Sequence, residues 1–330
     1  MNPNPVVLNA LATVSDAQLL EAASDQQLQR MVYRALDTLD KPGAFYDPVG
    51  LYIRSPRQID MTTAAAWPVI VVSGESRQRM QAVTLGNNGI LLIEALDRRA
   101  PLIRALLFAP PSPLKIPMPP SRRPPEPKPD PSSQSDHATV PIVVDLKKLE
   151  PPLPPGRYAL TALEYDWKSN TTVIELIDGG KSQATKPSPW VDGAATEFQP
   201  SAAPTNTAPG VTLDAPITWS KRAASFQLRG QIRLPVERSW LTAGSASNAP
   251  QAEIPAHLVL VEKNVLWPQR TSFTIPVRGS KPLAAGDEIS GTLRLDIKQP
   301  FERPATPGMY MAYVFLGSTV TGPFPVQLNE

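Results

Sequence analysis

The chain has no cysteine and only two histidines in 330 residues. The first absence excludes disulfides, cysteine-ligated zinc, iron–sulfur clusters and thiol nucleophiles. The second leaves His137 and His257 as the only imidazoles, so a histidine-rich metal site cannot be built and a Ser-His-Asp triad has little to draw on. Charge of one sign is also missing: 32 basic and 30 acidic residues leave a net +2, with no run of five like charges. That is not the basic stripe of a nucleic-acid binder. No stretch approaches the roughly 20 apolar residues of a membrane span. The N-terminal apolar stretch, Val6 to Val14, is short, interrupted by Asn9 and without a basic flank, so no secretory signal is expected. The resulting expectation is a cytoplasmic protein by default, with export by a route without a cleaved signal left open.

Proline is abundant instead: 40 of 330 residues, against a usual share of about 5%. Proline at this level breaks long helices and marks turns, strand edges and extended connections. One amphipathic helix is predicted over 15–40, capped by Ser15 or Asp16 and ended by Pro42-Gly43. Leu28, Met31, Val32, Ala35, Leu36 and Leu39 form its apolar stripe. From residue 44 the pattern turns to strands. Val49–Arg54 and Trp67–Ser73 are candidates, and Met80–Leu85 with Ile90–Ala95 flank the hairpin signal Gly86-Asn87-Asn88-Gly89. Residues 96–108 fit a short helix or a strand. Eleven of the 22 residues from Pro110 to Pro131 are proline, which dictates extended polyproline II and makes 109–137 an insertion. Order resumes with strands over 141–146, 158–165 and 171–177. Residues 181–212 read as a Pro/Ala/Thr/Ser-rich linker, and 213–330 hold seven strand candidates.

Two of those seven alternate strictly: Phe226, Leu228, Ile232, Leu234, and Ile289, Leu293, Leu295, Ile297. Each has one buried and one wet face. The gaps in the pattern, Gly230 and Gly291, predict bulges or close packing. A longer signal occurs twice. VDLKKLEPPLPPGRY (144–158) and LDIKQPFERPATPGMY (295–310) each run from an apolar–Asp–apolar–Lys strand end through a proline-rich loop to Pro-Gly-x-Tyr. This predicts two copies of one sheet corner and hence two related β domains, each a separate sandwich. Asp145 and Asp296 lie between apolar strand residues, which predicts wet-face carboxylates with a structural job.

The second copy resembles strands E, F and G of the immunoglobulin-like and fibronectin-III-like β-sandwich superfamily. The resemblance is clearest for 213–330 and looser for 44–180. It implies a tyrosine corner at Tyr310 and at Tyr158, with each hydroxyl bonded back to the preceding loop. The family's second disulfide cysteine is replaced by Ala312, as in modules that lack the bridge. The expected fold is therefore mainly β, with two Ig-like antiparallel sandwiches, one N-terminal helix and Pro-rich connections. Its segments are 1–43 with the helix, 44–180 with the insertion, the linker 181–212, and 213–330.

No residue pattern assigns a catalytic residue, a cofactor site or a metal ligand. Two acidic groups, Asp145/Glu150/Glu164/Asp166 and Asp287/Glu288/Asp296, keep a carboxylate-dependent hydrolase as an alternative. Exposed tryptophans on a sandwich face would make a glycan-binding module a further alternative. The preferred expectation is a non-catalytic protein-binding or structural accessory subunit, partnered by another protein in a hetero-complex or homo-oligomer. In residues 309–316 both faces are apolar, which calls for a cover on each. Met309, Met311, Tyr313 and Phe315, together with the helical Leu28, Met31, Val32 and Leu36, are the expected contact residues.

Overall fold

The computed structural model describes residues 4–22, 24–37, 39, 50–76, 89–97, 102–106, 137–164, 167–179, 194–200, 210–214, 217–223, 225–242, 250–262, 269–278, 282–298 and 304–330. The predicted hairpin turn at 86–88, the proline-rich stretch 109–136, Trp190 and Trp267 lie outside them.

Three helices open the chain: α1 (Pro5–Ala12), α2 (Asp16–Glu21) and α3 (Asp25–Asp37). The single helix expected over 15–40 is thus two, with a further helix before it. Asn4 caps α1 by accepting from the Val6 N–H at 2.9 Å, and Pro5 occupies its first turn. Ser15 and Gln18 form a reciprocal capping box on α2. That helix ends where Ala22 turns extended, with ψ 121°. Ser24 then starts α3, its Oγ accepting from the Gln27 N–H. A serine that offers the backbone a cap competes with continuation of the helix through it.

The first β unit comprises β1 (Gly50–Arg54), β2 (Gln58–Asp60), β3 (Pro68–Ser76), β4 (Ile90–Ala95), β5 (Ile103–Leu106), β6 (His137–Asp145), β7 (Gly156–Glu164) and β8 (Trp167–Ile177). They form two sheets, β1-β3-β6 and β2-β8-β7-β4-β5. Leu51, Val69 and Val71 of the first meet Leu91, Ile93, Leu160 and Ile174 of the second in a shared core. The ambiguous stretch 96–108 thus contains a strand, β5.

The second unit comprises β9 (Ala194–Pro200), β10 (Gly210–Leu213), β11 (Ile217–Ser220), β12 (Phe226–Pro235), β13 (Ala252–Glu262), β14 (Gln269–Val277), β15 (Glu288–Ile297), β16 (Gly308–Leu316) and β17 (Thr319–Asn329). Its sheets are β10-β12-β15-β9 and β11-β17-β16-β13-β14. Leu228, Ile232, Leu234 and Leu295 pack there on Ile254, Leu258, Phe273 and Val314. Two stretches read as linker are therefore strands. β9 pairs antiparallel with β15 and β10 with β12. No bulge interrupts β12 or β15 where they pair, so Gly230 and Gly291 mark close approach instead. A Cβ at Gly230 would stand 2.1 Å from the Thr212 carbonyl oxygen, and one at Gly291 2.2 Å from that of Gln199.

The two units repeat one strand order. With β1 to β8 matched in turn to β10 to β17, both have a 1-3-6 sheet facing a 2-8-7-4-5 sheet, and both pair the second strand parallel to the last. β9 is the addition, placed on the edge of β15. The repeated sequence phrase falls at the same place in each unit. The Tyr158 hydroxyl donates to the Pro154 carbonyl at 2.6 Å, and Tyr310 to that of Thr306 at 2.8 Å. Each bond holds the loop four residues back against the strand that leaves it. Tyr158→Phe and Tyr310→Phe are each expected to lower stability by about 0.5–1.5 kcal/mol. Urea denaturation checks this, and variants as stable as the parent would show that the hydroxyl bonds contribute nothing net.

Asp145 is turned inward rather than to water, its side chain only 13% exposed. Its Oδ1 accepts from the backbone N–H groups of Trp67 (2.9 Å) and Lys147 (3.1 Å), so the carboxylate ties the end of β6 to the start of β3. Asp296, half-buried, lies on the outer face of β15 with Thr292 and Arg294, so the wet-face expectation fails for Asp145 alone. A carboxylate can sit between apolar residues at a strand end when it satisfies loop backbone donors.

Candidate functional site

The layers stack in the order helices, β1-β3-β6, β2-β8-β7-β4-β5, β11-β17-β16-β13-β14, and β10-β12-β15-β9. The helical stripe provides the first cover. Leu28, Val32 and Leu36 are buried against Tyr52, Ile70 and Val72 of the three-stranded sheet, with Met31 packed at the margin. This explains why β3 reads as a continuous apolar run: Val69 and Val71 face one core, Ile70 and Val72 the other.

The second cover joins the units. Ile90, Leu92, Leu102 and Leu163 pack on Val259, Val261, Tyr313, Phe315 and Val320, with Met311 partly buried beside them. Matched strands meet here, β4 and β7 on β13 and β16. Tyr313 is fully buried and donates its hydroxyl to the Trp167 carbonyl at 3.3 Å. Lys168 Nζ donates to the Val320 carbonyl, and burial lowers its pKa. Tyr313 and Phe315 are thus covered by the chain's own first unit, while Met309 remains 44% exposed.

A polar cluster is buried in the same layer. Glu94 on β4 is 3% exposed and His257 on β13 is 1% exposed, with Oε1 and Nε2 3.8 Å apart. His257 Nδ1 lies 2.9 Å from Ser272 Oγ on β14. Burial, helped by the nearby Arg270 charge, pushes His257 down to about 3, so the ring is neutral. Burial and the neighbouring Glu237 charge hold the Glu94 carboxyl well above its ordinary range, against the Gly317 N–H that favours its charged form. The group order, serine–histidine–glutamate, is that of a hydrolase triad. However, an imidazole so buried meets no substrate, and one titrating near 3 is a poor base at neutral pH. Glu94 did carry a sequence signal: it is the one charge within the apolar run ILLIEAL.

Two of the other acidic residues have structural partners. Glu288 pairs with Arg233 at 2.9 Å, and Asp287 Oδ2 accepts from the Ala284 N–H at 2.8 Å. Among the described residues, no group of three or more histidine, aspartate or glutamate side chains could hold a metal ion. Trp67, Trp167, Trp219 and Trp240 are all buried, so among the described residues no tryptophan offers a stacking platform. Nor is any helix among them long and apolar enough to cross a membrane.

A groove of about 360 Å³ crosses the outer face of the β10-β12-β15-β9 sheet. It is lined by Asp214, Arg229 and Arg294 on one side and Gln231, Thr292 and Gln199 on the other, over a floor at Gly230 and Leu293. Alternation along β12 and β15 places these side chains outward. Their juxtaposition comes from register: Arg229 stands directly opposite Arg294, and Gln231 opposite Thr292. The strand patterns show a wet face, but only the pairing shows which polar residues meet. No protein-family model matches the chain, and no curated protein matches it either.

Proposed function

We propose that the protein is a non-catalytic structural or accessory subunit that docks on another protein, built from two immunoglobulin-like sandwiches fixed face to face. The fold assignment is supported by the shared strand order, the parallel pairing of each unit's second and last strands, and the tyrosine hydroxyl bond at both corners. The function rests chiefly on one observation, the buried layer in which Tyr313, Phe315, Val259 and Val261 meet Ile90, Leu92 and Leu163. Burial of that layer turns two sandwiches into one elongated body with distinct ends. The ordinary mobility of tethered domains would defeat a spacer or scaffold, and a large apolar interface removes it. Outward apolar contacts remain at Val6, Tyr33 and Met309. The test is the native mass of the protein isolated gently from its own source, with every co-purifying chain identified. A stoichiometric complex is expected, whether with a second protein or with further copies. A lone 35.8 kDa monomer would overturn the reading.

A further inference from the structure

Among the described residues, three of the four sheets have both faces covered: one by the helices, two by each other. The outer face of β10-β12-β15-β9 is the fourth, and its chemistry differs from that of the buried faces. Thr212, Asp214, Gln227, Arg229, Thr292 and Arg294 are all exposed there. The large exposed hydrophobic residues, Val6, Tyr33 and Met309, lie on other elements. Register arranges the polar residues in two parallel rows. In one, Arg229 and Arg294 are opposite each other, and Asp214 donates its backbone N–H to the Arg229 carbonyl at the β10 end. The other row runs Thr212, Gln231, Thr292 and Gln199. Strands about 4.8 Å apart, and side chains of one face about 7 Å apart along a strand, make the space between the rows a narrow trench.

Two arginines directly opposite each other are unfavourable for the sheet by themselves. Asp214 lines the same groove as the two arginines, so a carboxylate acceptor stands with the guanidinium donors and offsets part of their charge. A carboxylate offers two coplanar acceptors and a guanidinium several coplanar donors, a geometry that brackets adjacent hydroxyl groups. The amides and threonine hydroxyls across the trench both donate and accept. We propose that this trench binds a neutral oligosaccharide laid across the strands, with Asp214, Arg229 and Arg294 bonding its hydroxyls from one side and Gln231, Thr292 and Gln199 from the other. A free anion is disfavoured by Asp214 at the mouth of the arginine pair. A protein partner is disfavoured because an interface needs an apolar centre, which this face lacks. The site goes beyond the docking role above and does not depend on it.

The full-length chain, run in native gels cast with xylan, glucomannan, hydroxyethyl cellulose or soluble starch, is expected to be retarded by at least one of them. Calorimetric titration with the matching oligosaccharide is expected to show Asp214→Ala and Arg229→Ala each weakening binding by about tenfold or more. Arg30→Ala, exposed on α3 at the far end of the stack, is expected to bind like the parent. All three positions are exposed, and melting temperatures confirm that the variants fold. Unretarded migration with every one of these polysaccharides overturns the proposal, as does equal affinity in the parent and both groove variants. Retention by heparin or polygalacturonate alone, abolished by salt, also overturns it and marks an anion site instead. None of these outcomes alters the native mass, so this site and the accessory role fail separately.

Discussion

Tyr313→Ala is expected to destabilise the protein by about 3–5 kcal/mol, the range for removing a large buried aromatic ring, and to split one thermal unfolding transition into two. The ring is fully buried between the units and its hydroxyl reaches the Trp167 carbonyl. It is therefore both a packing element and a polar tie across the contact layer. Each unit keeps its own core without it: Leu51, Val69, Leu91 and Leu160 in the first, Leu228, Leu258, Phe273 and Leu295 in the second. Loss of the ring should accordingly uncouple the units rather than unfold either. Tyr313→Phe removes only the hydroxyl, so it should lose about 1 kcal/mol and keep a single transition. Calorimetry on the three proteins distinguishes the cases. If the alanine variant still melts in one transition, or the second unit alone collapses, Tyr313 belongs to that unit's core and the coupling argument is wrong.

The same residue illustrates what could be read in advance. Residues 309–316 are apolar on both faces, so the need for two covers is legible in the alternation of Met309, Met311, Tyr313 and Phe315 with Tyr310, Ala312, Val314 and Leu316. The identity of the second cover is not, because Ile90, Leu92 and Leu163 lie about 150 residues or more away in the chain and no local pattern links them. The continuous run at β3 is a parallel case: a strand covered on both faces loses its alternation, whatever does the covering. The repeated Pro-Gly-x-Tyr phrase was legible because a corner is local, its hydrogen bond spanning only four residues.

β9 shows the opposite limit. Its segment, AATEFQP, carries one large apolar residue, Phe198, and sits in a stretch with a linker's composition. What makes it a strand is the edge of β15, where Gly291 lets the Gln199 carbonyl come close. Its strand character is therefore borrowed from tertiary pairing. The groove was hidden for the same reason. Arg229 and Arg294 are each unremarkable wet-face residues of alternating strands, and they become a pair only through a register set by 64 intervening residues of chain.

Stability is expected to be highest between about pH 4.5 and 6.5 and to fall on both sides, through the Glu94–His257 pair. The sign follows from each group. His257 titrates near 6.5 unfolded and about 3 folded, so its contribution is full above 6.5 and declines as the pH drops toward 3. Glu94 titrates near 4.5 unfolded and well above that folded, so its contribution is full below 4.5 and declines as the pH rises. Between the two unfolded values the two contributions oppose each other. Below 4.5 only the histidine's share still changes, and above 6.5 only the carboxyl's does. Glu94→Gln removes the carboxyl's share and leaves that of the histidine. Its stability should therefore rise to about pH 6.5 and then stay level, where the parent declines. Urea unfolding of both proteins at steps from pH 4 to 9 separates these shapes. Parallel curves above pH 6.5 would mean that Glu94 is ionised in the folded protein, and that the contact layer holds a buried charge rather than a buried proton.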